Sequence, residues 1–91
     1  MKKDFIEVFV EKNCPSCVEV LHTLTRIAST QGSELRIYKR ENERQIFQER
    51  HVVICPATFL NGRLVFYGAF TFEALTNKLT FNQQLIKEDL Q

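Results

Sequence analysis

Apolar and polar positions alternate along this chain in short blocks that predict secondary structure directly. Phe5-Ile6-Glu7-Val8-Phe9-Val10 is aromatic, β-branched and nearly continuous, which predicts a buried strand. Glu11-Lys12-Asn13 follows as a loop. Pro15 suits the first turn of a helix, where its missing N–H costs nothing. Val18, Leu21, Leu24 and Ala28 then recur at helical spacing, with Val20 and Ile27 widening the stripe, and Gly32 supplies a stop. Leu35-Arg36-Ile37-Tyr38 predicts a short second strand. Residues 41–51 carry only Ile46 and Phe47 as large apolar residues, so they predict a solvated surface helix. Its charges, Glu43, Arg44, Glu49 and Arg50, are expected to form a wet face.

Beyond this helix, Val52-Val53-Ile54-Cys55-Pro56 leads into Ala57-Thr58-Phe59-Leu60, and Asn61-Gly62 separates that run from Arg63-Leu64-Val65-Phe66-Tyr67. Asn-Gly between two apolar runs predicts a hairpin, because a type I′ turn needs positive φ at both central residues. Gly68 ends the strand. Thr71 is placed as the N-cap of a helix carrying Phe72, Leu75 and Leu79. Residues 80–91, with Leu85, Ile86 and Leu90, extend this helix or form a further short one. The expected order is β-α-β-α-β-β-α in one domain spanning 1–91. Strands separated by helices are expected to pair in parallel and the final hairpin antiparallel, giving an α/β fold with a four-stranded mixed sheet flanked by helices.

Composition narrows the function classes. A chain of 91 residues and 10.7 kDa excludes a two-domain enzyme. Apolar content of 44% and charged content of 25% fit a globular domain and not a disordered segment. The net charge of +1 argues against nucleic acid and membrane surfaces as partners. Asp4, Glu7 and Glu11 interrupt any apolar stretch behind Met1-Lys2-Lys3, so no secretory signal is expected, and no apolar run reaches the roughly 18 residues of a spanning helix. Three cysteines are too few, and of the wrong parity, for a disulfide-stapled secreted scaffold. A monomer of the reducing cytoplasm is the expectation, and there paired cysteines point to redox or metal chemistry.

Placement makes the cysteines informative. Cys14-Pro15-Ser16-Cys17 sits where the first strand ends and the first helix begins. Unpaired backbone N–H groups and the positive end of the helix dipole favour thiolate over thiol at the first sulfur. Cys14 is therefore expected to be the attacking nucleophile, with Lys12 adding to the field. Cys17, one turn deeper, is expected to resolve the mixed disulfide. C-x-x-C alone serves equally as half of a zinc site, but strand–C-x-x-C–helix within this element order is far more specific.

With these elements in place, the chain resembles the thioredoxin/glutaredoxin superfamily in its minimal form. The resemblance covers nearly the whole chain and rests on Cys14-Pro15-Ser16-Cys17, on Cys55-Pro56-Ala57-Thr58-Phe59, and on Asn61-Gly62 through Gly68-Ala69. It implies a thiol–disulfide oxidoreductase working through a Cys14–Cys17 disulfide. It also implies a cis Pro56 facing that pair and a Cys55 backbone offered to an extended substrate, so that Pro15, Ser16, Cys55 and Pro56 are expected to contact substrate. The C-P-x-C pair is similar to glutaredoxin. The Gly-Gly-x-Asp signature of glutathione binding is absent near Gly68, where Gly68-Ala69-Phe70-Thr71 is similar to thioredoxin. A flavoprotein reductase is therefore expected to recycle the dithiol, with protein disulfides as substrates and glutathione not favoured. The family's buried Asp falls on Val8, which leaves water or Glu11 to take the Cys17 proton.

Cys55 stands apart from the pair. It either fills the position before the proline as a small apolar residue, or faces Cys14 as a third thiol able to form an alternative disulfide. A competing function is a binding module in which Cys14, Cys17 and Cys55, with His51 or an external ligand, hold zinc or an iron–sulfur centre. A third possibility is an interaction protein whose binding responds to Cys14–Cys17 oxidation.

Overall fold

Phe5–Val10 forms strand β1, and every residue after Phe5 in it is buried. A computed structural model of the chain describes residues 4–78. After β1 come helix α1 (Pro15–Gln31), strand β2 (Glu34–Lys39), helix α2 (Arg44–Glu49), strands β3 (Ala57–Leu60) and β4 (Arg63–Tyr67), and helix α3 (Phe72–Thr76). The order is the expected β-α-β-α-β-β-α. Leu79 and the helix expected over 80–91 lie outside the described residues. No helix among the described residues is long and apolar enough to cross a membrane.

The sheet order is β2-β1-β3-β4. β1 pairs with β2 in parallel, and with β3 antiparallel through Val8↔Thr58 and Phe9↔Ala57. The expectation that helix-separated strands run parallel thus holds for β2 but not for β3. The segment after α2 enters the sheet beside β1 in the opposite sense, a choice made by the long-range register and not by local pattern. β3 and β4 form the expected hairpin, with φ of 52° at Asn61 and 86° at Gly62, both in the left-handed region a type I′ turn requires. Asn61 also ties the turn to β1. Its Oδ1 accepts from the Phe5 N–H at 2.9 Å and its Nδ2 donates to Asp4 Oδ1 at 3.0 Å.

Alternation along β1 divides the core in two. Ile6, Val8 and Val10 face α1 and α3, packing with Cys17, Val20, Leu24, Ile27, Leu60 and Leu75. Phe9 faces α2 and packs with Tyr38, Phe47, Val52, Ala57 and Phe59. The buried stripe of α1 is therefore Cys17-Val20-Leu24-Ile27, and Val18, expected inside, is 67% exposed. The apolar residues of α1 span more than one face, and the sheet selects the stripe that continues from the helix start. Gly32 caps the helix in the left-handed conformation (φ 71°), its N–H donating to Ala28 O.

On the opposite face α2 is shorter than expected, and its end is not a wet face. Arg50, just past the helix, reaches inward and donates to both carboxylate oxygens of Glu7, at 3.0 and 2.7 Å. Glu7 is 1% exposed and also accepts from the Tyr38 hydroxyl at 2.8 Å. An acid within an apolar strand thus has a paired, hydrogen-bonded environment, as a buried charge requires.

Thr58 is fully buried opposite Val8, and its hydroxyl has no hydrogen-bond partner among the described residues. An unpaired buried hydroxyl costs on the order of 1–3 kcal/mol. Thr58→Val should therefore raise the thermal midpoint by about 4–8 °C, read by calorimetry. A lowered midpoint would mean that a water satisfies the hydroxyl.

Candidate active site

The path from β1 to α1 builds the site. Asn13 takes a left-handed conformation (φ 55°), which asparagine tolerates better than most residues, and turns the chain so that Cys14 becomes the N-cap of α1. The Cys17 N–H donates to Cys14 Sγ at 3.1 Å, while the Cys17 and Val18 N–H groups reach Cys14 O at 3.0 and 3.2 Å. Sulfur thus takes the place of a capping oxygen, at the helix end where a negative charge is favoured. Pro15 occupies the first turn and is exposed, and Ser16 beside it is half-buried.

Cys14 and Cys17 differ in environment, although both thiols are free. Cys14 is half-buried, whereas Cys17 is 2% exposed. Burial pushes the Cys17 thiol up to about 12, helped by its contact with Cys14, while a backbone hydrogen bond from Glu11 opposes the rise. Such a thiol is protonated at neutral pH, and only the thiolate attacks a disulfide. Any step in which Cys17 attacks should accelerate close to tenfold per pH unit as its thiolate fraction rises. Stopped-flow decay of a preformed mixed disulfide on Cys14 in a Cys55→Ser chain measures this. A rate independent of pH between 6 and 9 would exclude proton loss from Cys17 as the control.

The loop before β3 completes the site. The Cys55–Pro56 peptide is cis, and the Pro56 carbonyl accepts from the Gly68 N–H at 2.7 Å. Pro56 is fully buried, so it shapes the loop but offers no surface of its own. Cys55 is half-buried and packs at the seam of the two core clusters. Cys14 also packs on the cluster that contains Cys17. The Cys17 thiol feels the charge of Cys14 and Cys55, and the Cys55 thiol that of Cys14. The structure therefore brings together the cysteines that the sequence separates by some forty residues.

Arg40, just beyond β2, was not identified from the sequence. Its guanidinium donates to Cys55 Sγ at 3.3 Å, Val53 O at 2.7 Å and Glu11 Oε1 at 2.9 Å. The Glu11 carboxylate, expected to take the Cys17 proton, is thus engaged by Arg40. Burial pushes the Cys55 thiol up, and Arg40 pulls it back. No local signal announces this residue, since an arginine after a strand is ordinary sequence. Only the parallel pairing of β2 with β1 carries it to the loop.

His51 is exposed and lines a cleft of about 480 Å³ on the α2 side, together with Arg44, Phe47 and Val53. Among the described residues, no group of three or more His, Cys, Asp or Glu side chains is arranged to hold a metal ion. The donor set of Cys14, Cys17, Cys55 and His51 expected for a metal or cluster is therefore not assembled.

A dithiol opening a helix behind a buried strand, with a cis-proline loop set against it, places this chain among the thioredoxin-fold proteins. The model of the thioredoxin domain family matches residues 5–80, and the chain belongs to that family. No curated protein sequence matches it. Among solved structures it is similar to the N-terminal domain of the alkylhydroperoxide reductase AhpF from Enterococcus faecalis, with 26% identity and a TM-score of 0.78. That match covers 88% of this chain and 39% of that one, so the chain spans about two-fifths of the relative's length. Mitochondrial thioredoxin 3 from Saccharomyces cerevisiae shares the fold at 21% identity and a TM-score of 0.66, over 89% of this chain and 80% of that one. A protein disulfide oxidoreductase from Aeropyrum pernix shares it at 21% identity and a TM-score of 0.68, over 85% and 36%. Family membership and the likeness to the AhpF domain support a thiol–disulfide redox role of the oxidoreductase kind.

Proposed function

We propose that the protein is a dithiol oxidoreductase in which Cys14 attacks and Cys17 resolves. The observation that carries this reading is the capping sulfur: Cys14 Sγ accepts the Cys17 N–H at the start of α1, with the Cys17 thiol buried one turn behind. The Cys14 thiolate attacks one sulfur of a substrate disulfide, forms a mixed disulfide and expels the other sulfur as a thiolate. Cys17 then loses its proton and attacks Cys14, releasing the second substrate thiolate and leaving a Cys14–Cys17 disulfide. Two electrons have passed to the substrate, and an external reductase returns them. The working group is this disulfide itself, without a bound cofactor.

Protein disulfides are the substrate class this surface suits. Val18 follows Cys17 and Ile54 precedes Cys55 in the chain, and they are 67% and 58% exposed, so exposed apolar residues flank two of the thiols in sequence. An extended segment could pair with the backbone beside Cys55. The reductase is proposed to be a flavoprotein, since the residues near Gly68 lack the glutathione signature, and the working compartment a reducing cytoplasm.

The test is a turnover assay of a protein disulfide with a flavoprotein reductase and its nicotinamide reductant, run in parallel with glutathione alone. Turnover is expected only in the first. Turnover with glutathione alone would replace the reductase by glutathione, and no turnover in either would overturn the oxidoreductase reading.

A further inference from the structure

Cys55 is the nucleophilic group that the scheme above leaves unused, and its surroundings differ from those of an inert core thiol. It is half-buried and not sealed, and it packs on the cluster that holds Cys17 and against which Cys14 also rests. Arg40 Nη2 donates to its sulfur at 3.3 Å and simultaneously to Val53 O at 2.7 Å. The same guanidinium is fixed from behind by Glu11 through Nε, at 2.9 Å. Burial pushes the Cys55 thiol up, and this guanidinium, held by two further anchors, pulls it back, so a fixed cation faces the sulfur and stabilises its thiolate once formed. Among the described residues Cys17 has no cationic hydrogen-bond partner, and its burial and its contact with Cys14 both favour the thiol.

We infer that Cys55 is a second resolving thiol, which attacks the mixed disulfide on Cys14 and forms a Cys14–Cys55 disulfide. This deepens the proposed function and rests on Cys14 being the primary nucleophile. The step balances without a further reactant. Cys55 gives up its proton to solvent, and its thiolate attacks Cys14 Sγ. The S–S bond to the substrate breaks, and the substrate sulfur leaves as a thiolate. The two protein sulfurs are oxidised by the two electrons that the substrate disulfide has gained. Cys17 can then attack Cys14 in turn, expelling the Cys55 thiolate and restoring the Cys14–Cys17 disulfide, so the two routes meet in one oxidised product. A practical consequence is that Cys17→Ser alone should not hold a substrate, because Cys55 releases it.

The experiment uses dithiobis(nitrobenzoate), given at less than one equivalent to the reduced chain. Attack by Cys14 releases one coloured thiolate, and resolution releases the second. In Cys17→Ser the second release should still occur, and peptide mapping should show Cys14 joined to Cys55. Adding Cys55→Ser, with Cys55→Ala alongside as a check on packing, should slow that release by at least about a hundredfold and leave the adduct on Cys14. If Cys17→Ser holds its adduct as firmly as the double variants, the inference about Cys55 falls while the primary reading stands. If the wild-type chain fails to give even the first release, thiol exchange at Cys14 is itself wrong.

Discussion

Cys14→Ser should lower the rate of disulfide reduction by at least about a thousandfold, the scale seen when a covalent nucleophile is removed. The substitution is unusually clean at this position. Cys14 caps α1 through its sulfur, and serine is among the best residues for that role. The serine hydroxyl can accept the Cys17 N–H in place of Sγ, so the helix start and the thermal midpoint should be preserved. Loss of activity without loss of stability then isolates the chemistry. Cys17 cannot substitute, because it is buried and its thiol lies at about 12. A variant retaining more than about a tenth of the wild-type rate would overturn the assignment of Cys14 as nucleophile.

The second large effect is structural and lies on the other face of the sheet. Arg50→Met should destabilise the fold by about 3 kcal/mol, since removing one partner of a buried pair leaves the other charge uncompensated. Glu7 would keep only the Tyr38 hydroxyl in an otherwise aromatic environment. Arg50 is itself 31% exposed, which places the cost at the low end for such pairs. For a domain of this size the midpoint should fall by about 12–24 °C in a thermal melt. Restoring neutrality with Glu7→Leu in the same chain should recover most of the loss, because apolar replacement of a whole buried pair is often neutral or better. A fall of less than about 4 °C for the single variant would show that Glu7 is solvated. Arg50 also lies over the Phe9 and Phe59 rings, at 5.9 and 5.2 Å. The pair therefore anchors the end of α2, from which the chain runs directly into the Cys55–Pro56 loop.

The cysteine pair was legible because its signal is local. Strand, C-x-x-C and helix follow one another within a few residues, and helix-end electrostatics apply to any such junction. The Asn61-Gly62 turn and the Thr71 cap were legible for the same reason. Arg50 and Arg40 were not. Both are surface-type residues in ordinary sequence, and their roles come from partners far along the chain: Glu7, 43 positions from Arg50, and Cys55, 15 positions from Arg40. Val18 was misplaced because helical spacing allows more than one apolar stripe, and only the position of the sheet decides which is buried.

The sequence by itself determined the order of the elements, the hairpin and the position of two thiols at a helix start, because backbone propensity, turn stereochemistry and helix polarity act over a few residues. Tertiary structure alone decided the antiparallel entry of β3 beside β1, the pairing of Glu7 with Arg50, and the gathering of Cys55 and Arg40 around the Cys14–Cys17 pair. Those features depend on packing and on charge desolvated at long range, which no local pattern encodes.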